Sequence, residues 1–192
     1  AFSTQLGYQA SEKWYYTAMA DLNTQFYKGY NYPDKSHYIS KFFAPAYSNI
    51  SLGMDFRPKS NYSLYLSPIA GKLTFVEDDY LSKEGAFGVD PGDRFRAEIG
   101  AYIKAKAEQK IMENVNLITS VDFFTPYDKQ FGNVDVNWDV LINMKINKYL
   151  SATLNTTLKY DNDVKTFNDE GEKHGAKVQF KEVLGIGVAY NF

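Results

Sequence analysis

Cysteine is absent from the 192 residues, and histidine and tryptophan occur only twice each. The missing thiols exclude disulfide frameworks, thiolate catalysis and Cys-ligated metal within this sequence. No apolar run approaches the roughly 20 residues of a membrane-spanning helix, and the mean hydropathy of -0.42 agrees, so the sequence does not predict a helical membrane protein. The net charge of -2 provides no basic footprint for nucleic acid.

Instead, apolar residues recur at every second position, most clearly in residues 178–192, VQFKEVLGIGVAYNF. Small or polar residues separate the apolar ones there, so a strand would carry one apolar and one small, polar face. This pattern predicts the closing strand of an outer-membrane barrel, with its apolar side on lipid and its end in an aromatic girdle. The predicted lipid-facing residues are Leu184, Ile186, Val188, Tyr190 and Phe192.

The same alternation divides the rest of the chain into strands and links. Phe95 to Gln109 is the clearest case, because no helix would keep a period of two. Pro68 and Gly71 predict a bulge in their strand. The predicted strands are 14–26, 46–57, 62–76, 95–109, 116–123, 134–146, 151–160 and 178–192, preceded by a fragment at 1–8. The predicted links are short at 9–13, 57–61, 112–115 and 147–150, and longer at 27–45, 77–94, 127–133 and 161–177.

The fold class predicted is all-β: one antiparallel transmembrane β-barrel domain over residues 1–192, with about eight complete strands and the opening fragment. Short periplasmic turns and longer external loops are typical of such barrels. Counting back from the last strand, residues 1–8 descend toward the periplasm. Since single-chain barrels have even strand numbers, we expect an N-terminally truncated domain whose full barrel has ten or twelve strands. The alternative is that residues 1–8 fold into the lumen and the other strands close alone.

A water-soluble, lipocalin-like barrel would show the same alternation with its apolar face turned inward. Three features favour lipid outside. The strands are longer than the usual six or so residues of soluble strands. Large aromatics lie at strand ends and aliphatics in the middle, as in membrane girdles. Gly185, Gly187 and Ala189 would be unusual on the water face of a soluble strand.

Several segments resemble an uncharacterised family of outer-membrane barrels from Bacteroidetes, a domain of unknown function. The resemblance implies an outer-membrane β-barrel, with this chain matching the C-terminal two-thirds of a longer domain. It implies no catalytic residues. The segments that carry it are FFAPAY (42–47), SLGMDFRP (51–58), LSPIAGKLTFV (66–76), GAFGV (85–89), VNWDVLINMKINKYLSA (136–152) and VQFKEVLGIGVAYNF (178–192).

If the apolar face meets lipid, a set of charged residues points into the lumen. Turn centres place Lys104 opposite Asp122, Asp122 opposite Asp139, and Asp139 opposite Lys159, each to within two residues. This set is either a constriction that selects ions or a polar network that fills a narrow barrel, and mixed charge signs favour the network. The predicted lumen charges are Arg96, Glu98, Lys104, Asp122, Asp139 and Lys159.

The chemistry of the loops predicts no enzyme, metal or cofactor. His37 and His174 are the two histidines, both in long loops and neither beside a recognisable nucleophile. Acidic runs such as 77–79 and 161–163 lack the spacing of a calcium loop. We therefore expect a non-enzymatic outer-membrane barrel, structural or partner-binding, in contact with outer-membrane lipid, lipopolysaccharide and other envelope proteins. The alternatives are a passive channel for small solutes and, more remotely, an outer-rim hydrolase.

Overall fold

A computed structural model describes residues 2–30, 32–128, 132–162, 165–167 and 173–188. Nine strands form one sheet in which every pairing is antiparallel, and their order across the sheet is their order along the chain. The prediction of an all-β chain built on a large antiparallel sheet is confirmed. The nine strands are β1 (Phe2–Gln9), β2 (Trp14–Thr24), β5 (Ala46–Lys59), β6 (Tyr62–Phe75), β7 (Phe95–Met112), β8 (Val115–Pro126), β9 (Asp135–Lys145), β10 (Leu150–Tyr160) and β13 (Gln179–Val188).

The longer links are not the plain loops that the sequence predicts. The first contains a small hairpin, β3 (Gly29–Tyr30) with β4 (Tyr38–Ser40). The second contains helix α1 (Asp79–Lys83) and a 3-10 turn. The last contains a further hairpin, β11 (Lys165–Phe167) with β12 (Lys173–Ala176). Each of these pieces is too short for the periodicity of its sequence to reveal it.

The bulge predicted around Pro68 is confirmed. The pairing register of β6 shifts by one residue against both neighbours, between Leu52 and Met54 on β5 and between Ser67 and Ala70 on β6 itself. The Ser67 hydroxyl lies at the bulge, 2.8 Å from the carbonyl oxygens of both Leu52 and Ile69. Because one extra residue reverses the alternation, the faces of β6 before and after the bulge follow opposite parity.

Close backbone approach explains two of the glycines in the sheet. A Cβ on Gly53 would overlap the Leu66 carbonyl, and one on Gly100 would overlap the Thr125 carbonyl. Gly71, in contrast, has no atom nearer than 3.9 Å to the position of a Cβ. Even the methyl group of alanine is therefore too large for the first two positions.

We expect Gly100→Ala to destabilise the protein by about 1–3 kcal/mol, since overpacking forces strands β7 and β8 apart. Gly71→Ala is the matched control and should change the free energy of unfolding by less than about 0.5 kcal/mol. Denaturant titration of both variants checks this. Equal losses at the two positions would show that the backbone contact at Gly100 is not the cause.

The two faces of the sheet differ sharply in exposure. Large aliphatic side chains are exposed on one face, for example Leu52 at 56% and Ile99 at 66%. On the other face Asp55 and Glu98 are buried, at 1% and 6% exposure. Buried polar groups under an exposed apolar surface invert the usual arrangement of soluble proteins.

The sheet has two edges. Among the described residues, β1 pairs with β2 and β13 pairs with β10, and neither has a second partner strand. All eight residues of β1 are exposed.

Candidate functional site

The polar face is the concave, inner face of the sheet, as the contacts of Lys72 demonstrate. Its Nζ lies 2.6 Å from Asp135 Oδ2 and 2.9 Å from Asp161 Oδ2. Lys72 is on β6, whereas Asp135 begins β9, three strands away, and Asp161 follows β10, four strands away. Four strand spacings are about 19 Å in a flat sheet, too far for these side chains to meet. The sheet must therefore curve strongly around its polar side.

The loop end of the inner face is covered by the second long link. Arg96 donates from Nη2 to Glu98 Oε1 and from Nη1 to the Gly88 carbonyl, both at 2.9 Å. This second bond attaches the link to the sheet. Phe87 then lies over the inner face and, with Tyr47, Lys72 and neighbouring residues, encloses a small cavity. Arg96, one of the predicted lumen charges, thus connects a loop to Glu98 on the inner face.

The middle of the inner face contains the other predicted lumen residues. Lys104 pairs with Asp122 in register, as the turn centres predict. Asp122 lies opposite Asn137 instead of Asp139, and the Asn137 amide donates at 3.2 Å to both carboxylates. Because the Asn137 amide donates a hydrogen bond to one oxygen of each carboxylate, the two acids can lie close together.

The predicted pairing of Asp139 with Lys159 is offset by two residues, at the limit of the predicted range. Asp139 lies opposite Thr157, whose hydroxyl donates to it at 2.6 Å. Lys159 lies opposite Asn137 and is exposed. This offset arises at the turn after β9. The Asn147 side chain accepts from Tyr149 and Leu150 there, which centres the turn earlier than the sequence alone suggests.

The turn end of the inner face is organised around Asp55. Its Oδ2 accepts from Arg57 Nε at 2.6 Å and from Gln5 Nε2 at 3.2 Å. Gln5 is on β1 and Asp55 on β5, so this contact crosses an intervening strand. The Arg57 guanidinium also lies 5.1 Å from the centre of the Tyr15 ring, within cation–π range.

The residues predicted to face lipid on the last strand lie on the outer face of the sheet, as far as the structure describes them. Leu184, Ile186 and Val188 of β13 are exposed at 66%, 71% and 78%. Ile186 lies opposite Ala152 and Leu184 opposite Leu154, which continues the apolar face across the strand pair. Tyr190 and Phe192 lie outside the described residues.

The first two long links are joined by a clamp around Asp78. Its Oδ1 accepts from the Leu81 amide at 2.8 Å and caps helix α1. Its Oδ2 accepts from the Tyr38 hydroxyl at 3.1 Å and forms an ion pair with Lys41. A small apolar core supports the clamp, formed by Ala44, Val76, Leu81 and Val89.

These contacts shift the pKa values of the clamp. Burial alone would raise the pKa of Asp78, but the hydrogen bonds from Lys41, Leu81 and Tyr38 lower it on balance. The hydrogen bond to Asp78 raises the pKa of Lys41. Burial, and then the same carboxylate, raise the pKa of the Tyr38 hydroxyl.

We expect the clamp to open in acid. Because the folded pKa of Asp78 is below its unfolded value of about 3.9, its stabilisation is present above that value and is lost as pH falls through the folded pKa. The hydrogen-exchange protection factor of the Leu81 amide should decrease as the pH falls below about 4. Asp78→Asn should show reduced protection at pH 7 and no such acid transition. A transition of unchanged size in that variant would assign it to another group.

His37 has a hydroxyl partner but not the geometry of a catalytic triad. Its Nδ1 lies 2.9 Å from Ser36 Oγ. Asp34 accepts from the Ser36 hydroxyl at 2.6 Å and from its amide at 2.8 Å. The carboxylate therefore contacts the serine instead of orienting the imidazole, which is the arrangement of an Asx turn. The His174 side chain lies outside the described part of the chain.

The residues that the structure describes lack two features that a functional site could include. No group of three or more His, Cys, Asp or Glu side chains among them could hold a metal ion. None of the helices they form is long and apolar enough to cross a membrane.

Comparison with known proteins gives one partial match. A family model with the description "Protein of unknown function (DUF3078)" matches residues 1–30, which span β1 and β2. This part of the chain is therefore similar to that family, and the segments quoted above for the sequence resemblance lie beyond the match. No curated protein and no solved structure matches the chain.

Proposed function

We propose that this chain forms an outer-membrane β-barrel with a structural or partner-binding role and no enzymatic activity. Residues 1–30 are similar to a family of unknown function. The proposal takes this family to be the outer-membrane family that other segments of the sequence resemble. The observation that carries it is the inverted burial of the sheet. The exposed aliphatic residues of the convex face are suited to contact with lipid, and the charged residues are buried on the concave face, away from it.

Aromatic residues at the loop end of the sheet support this orientation. The rings of Phe26, Phe42, Phe43, Phe75 and Phe95 follow one another with centroid distances of 5.5, 5.8, 6.0 and 5.1 Å. A row of aromatic rings across the ends of several strands is typical of the level where lipid headgroups meet the acyl chains.

The interior favours a filled barrel over a channel. Lys72 bridges β6 to the ends of β9 and β10, so ion pairs cross the inner face. Phe87 and the link attached by Arg96 cover the loop end. Ion-paired side chains and a folded loop occupy the space that a solute would need.

The outer links provide a surface suited to envelope partners. Tyr27 and Tyr32 are exposed at 85% and 70%, and the clamp around Asp78 holds the links together. Exposed aromatic residues on a rigid support are characteristic of protein interfaces. Other envelope proteins are therefore the partners we propose.

Fractionation and conductance together test this function. The full-length protein should sediment with the outer membrane and resist extraction by carbonate. In planar bilayers it should show no stable ohmic steps, and gentle detergent extraction should recover stoichiometric envelope partners. A soluble protein would contradict the membrane assignment, whereas regular conductance steps would favour the passive channel. The variant Arg96→Gln removes the hydrogen bonds that attach the link to the sheet. We expect small conductance steps in this variant.

A further inference from the structure

The turn end of the inner face contains a groove between the turn that follows β7 and the turn that follows β9. Its volume is about 490 Å³, within the usual range of ligand sites. The Lys145 amide donates to the Asn114 carbonyl at 2.8 Å and holds the first turn against the end of β9. We call this cavity the turn groove, and its lining includes Lys110, Asn116, Asn143, Lys145, Lys148 and Thr153.

One row of polar side chains crosses the turn groove in register. Lys110 on β7 lies opposite Asn116 on β8. Asn143 on β9 lies opposite Asn116 on one side and opposite Thr153 of β10 on the other. Gly185 of β13 follows Thr153, so β13 adds no side chain to the row. The four strands span about 14 Å, which is the length of about four residues of extended peptide.

The two amides in the middle of this row have no hydrogen-bond partner among the side chains that the structure describes. Asn137, further along the same face of β9, donates in contrast to two carboxylates. An amide side chain offers both a donor and an acceptor, as a peptide backbone does. A phosphate or a single carboxylate offers acceptors alone and would leave the amide oxygens of Asn116 and Asn143 unpaired. The row therefore matches an extended peptide better than a single anion.

The charge of the turn groove is positive. Lys110, Lys145 and Lys148 are exposed, and within the described part of the chain none of them forms an ion pair. Among the described residues of the lining, Glu113 is the one acid. Lys72, on the same inner face, is in contrast paired with two carboxylates. Three lysines without ion-pair partners favour an acidic ligand, because charge complementarity steers association and selects among partners.

Apolar side chains separate the turn groove from the charged middle of the inner face. Ile118 and Leu141 lie opposite each other, two residues further from the turns than Asn116 and Asn143. They offer no hydrogen bond to a charged ligand. An acidic ligand therefore enters from the turn end and stays there.

We infer that the turn groove binds an acidic peptide segment of a partner protein, extended across β7, β8, β9 and β10. The lysines pair with its carboxylates, and the amides of the row bind its backbone. This surface lies at the opposite end of the sheet from the outer links. One clause of the inference rests on the proposed function: with the long links outside the cell, the turn end faces the periplasm, so the partner is a periplasmic protein.

Peptide binding to the purified full-length protein in a non-ionic detergent tests this site. The probe is a peptide of about six alternating serine and aspartate residues with a neutral fluorophore, long enough to span the row. The aspartate peptide should bind about tenfold more tightly than the same peptide with asparagine in place of aspartate, since it alone brings carboxylates to the lysines.

Two double variants locate the binding. Lys110→Gln with Lys145→Gln should weaken binding of the aspartate peptide about tenfold. Lys13→Gln with Lys59→Gln is the matched control, because it removes two exposed lysines from other turns at the same end of the sheet. At physiological salt the control should change the affinity by less than about twofold, since distant charges are screened.

A single variant separates the recognition of a peptide from the attraction of an anion. Asn143→Leu keeps every charge of the turn groove and removes the amide from the middle of the row. It should weaken the aspartate peptide about fivefold, because the peptide backbone loses hydrogen bonds. Inorganic phosphate at the same concentration as the peptide should not displace it.

Each other result contradicts the inference. No binding of the aspartate peptide, or equal binding of the asparagine peptide, would exclude carboxylate recognition. Equal losses in the two double variants would show a general attraction to basic turns. Unchanged affinity in Asn143→Leu, or displacement by phosphate, would show a site for single anions. Binding in detergent does not depend on membrane insertion, so a soluble protein would refute the proposed function and leave this site intact.

Discussion

Replacing Ile99 with arginine should lower the free energy of unfolding by about 2–4 kcal/mol when the full-length protein is folded into phospholipid vesicles. Ile99 is exposed on the convex face of β7. It lies four residues from Phe95, or about 13 Å along the strand, close to the middle of an apolar band about 25 Å tall. A guanidinium at that depth loses its hydration.

Ile111→Arg is the control for this substitution. Ile111 is also exposed and belongs to the same strand, but it lies near the turn end, beyond the apolar band. Its replacement should cost only about 0–1 kcal/mol. Chemical unfolding followed through the fluorescence of Trp14 and Trp138 measures both values. If the convex face were bathed in water, both variants would change stability by less than about 0.5 kcal/mol.

Replacing Lys72 with methionine should cost about 3–5 kcal/mol, because two carboxylates would remain in a partly buried site without their cation. The side chains of Lys72 and Asp135 are only 15% and 18% exposed. Lys159→Met is the matched control, since Lys159 is an exposed lysine of the same face and lies opposite an amide. That control should change the free energy of unfolding by less than about 0.5 kcal/mol.

A triple variant separates the charge from the packing at this site. Lys72→Met combined with Asp135→Asn and Asp161→Asn removes the unpaired charges while keeping similar volumes. It should recover most of the stability lost in the single variant, in agreement with other buried ion pairs replaced as a unit. If the triple variant were as unstable as Lys72→Met alone, the lost stability would come from the packing of the lysine side chain and not from unpaired charges.

Alternation alone predicted much of the fold. Strict periods of two, as in Phe95 to Gln109, identified the strands of the large sheet, and Pro68 identified the bulge. The two-residue turn between β7 and β8 fixed the pairing of Lys104 with Asp122. Local patterns of this kind are sufficient to predict a strand and its pairing register where the strand is long and the turn is short.

The central bridge of the inner face was not predictable in the same way. The alternation of Tyr62, Leu64 and Leu66 assigns Lys72 to the apolar face, and only the one-residue shift at the bulge turns it inward. Its partner Asp161 lies in a segment predicted as loop. Contacts across three or four strands depend on curvature, which the sequence pattern does not encode.

The clamp around Asp78 also escaped prediction. It joins two links through Tyr38 and Asp78, which are 40 positions apart. The apolar residues beneath it, such as Val76 and Leu81, are too few to form a periodic pattern. A capping aspartate before a five-residue helix was the only local signal available.

The most direct test of the central claim, that the apolar face of the sheet contacts lipid, is the collision accessibility of single spin labels along β7. In vesicles, labels at Ile99, Ala101 and Ile103 should collide readily with oxygen and little with a water-soluble nickel complex. Labels at Tyr102 and Lys104 should have low oxygen accessibility, so that the oxygen profile has a period of two. Nickel accessibility that is highest at Ile99, Ala101 and Ile103 would place that face in water and contradict the account.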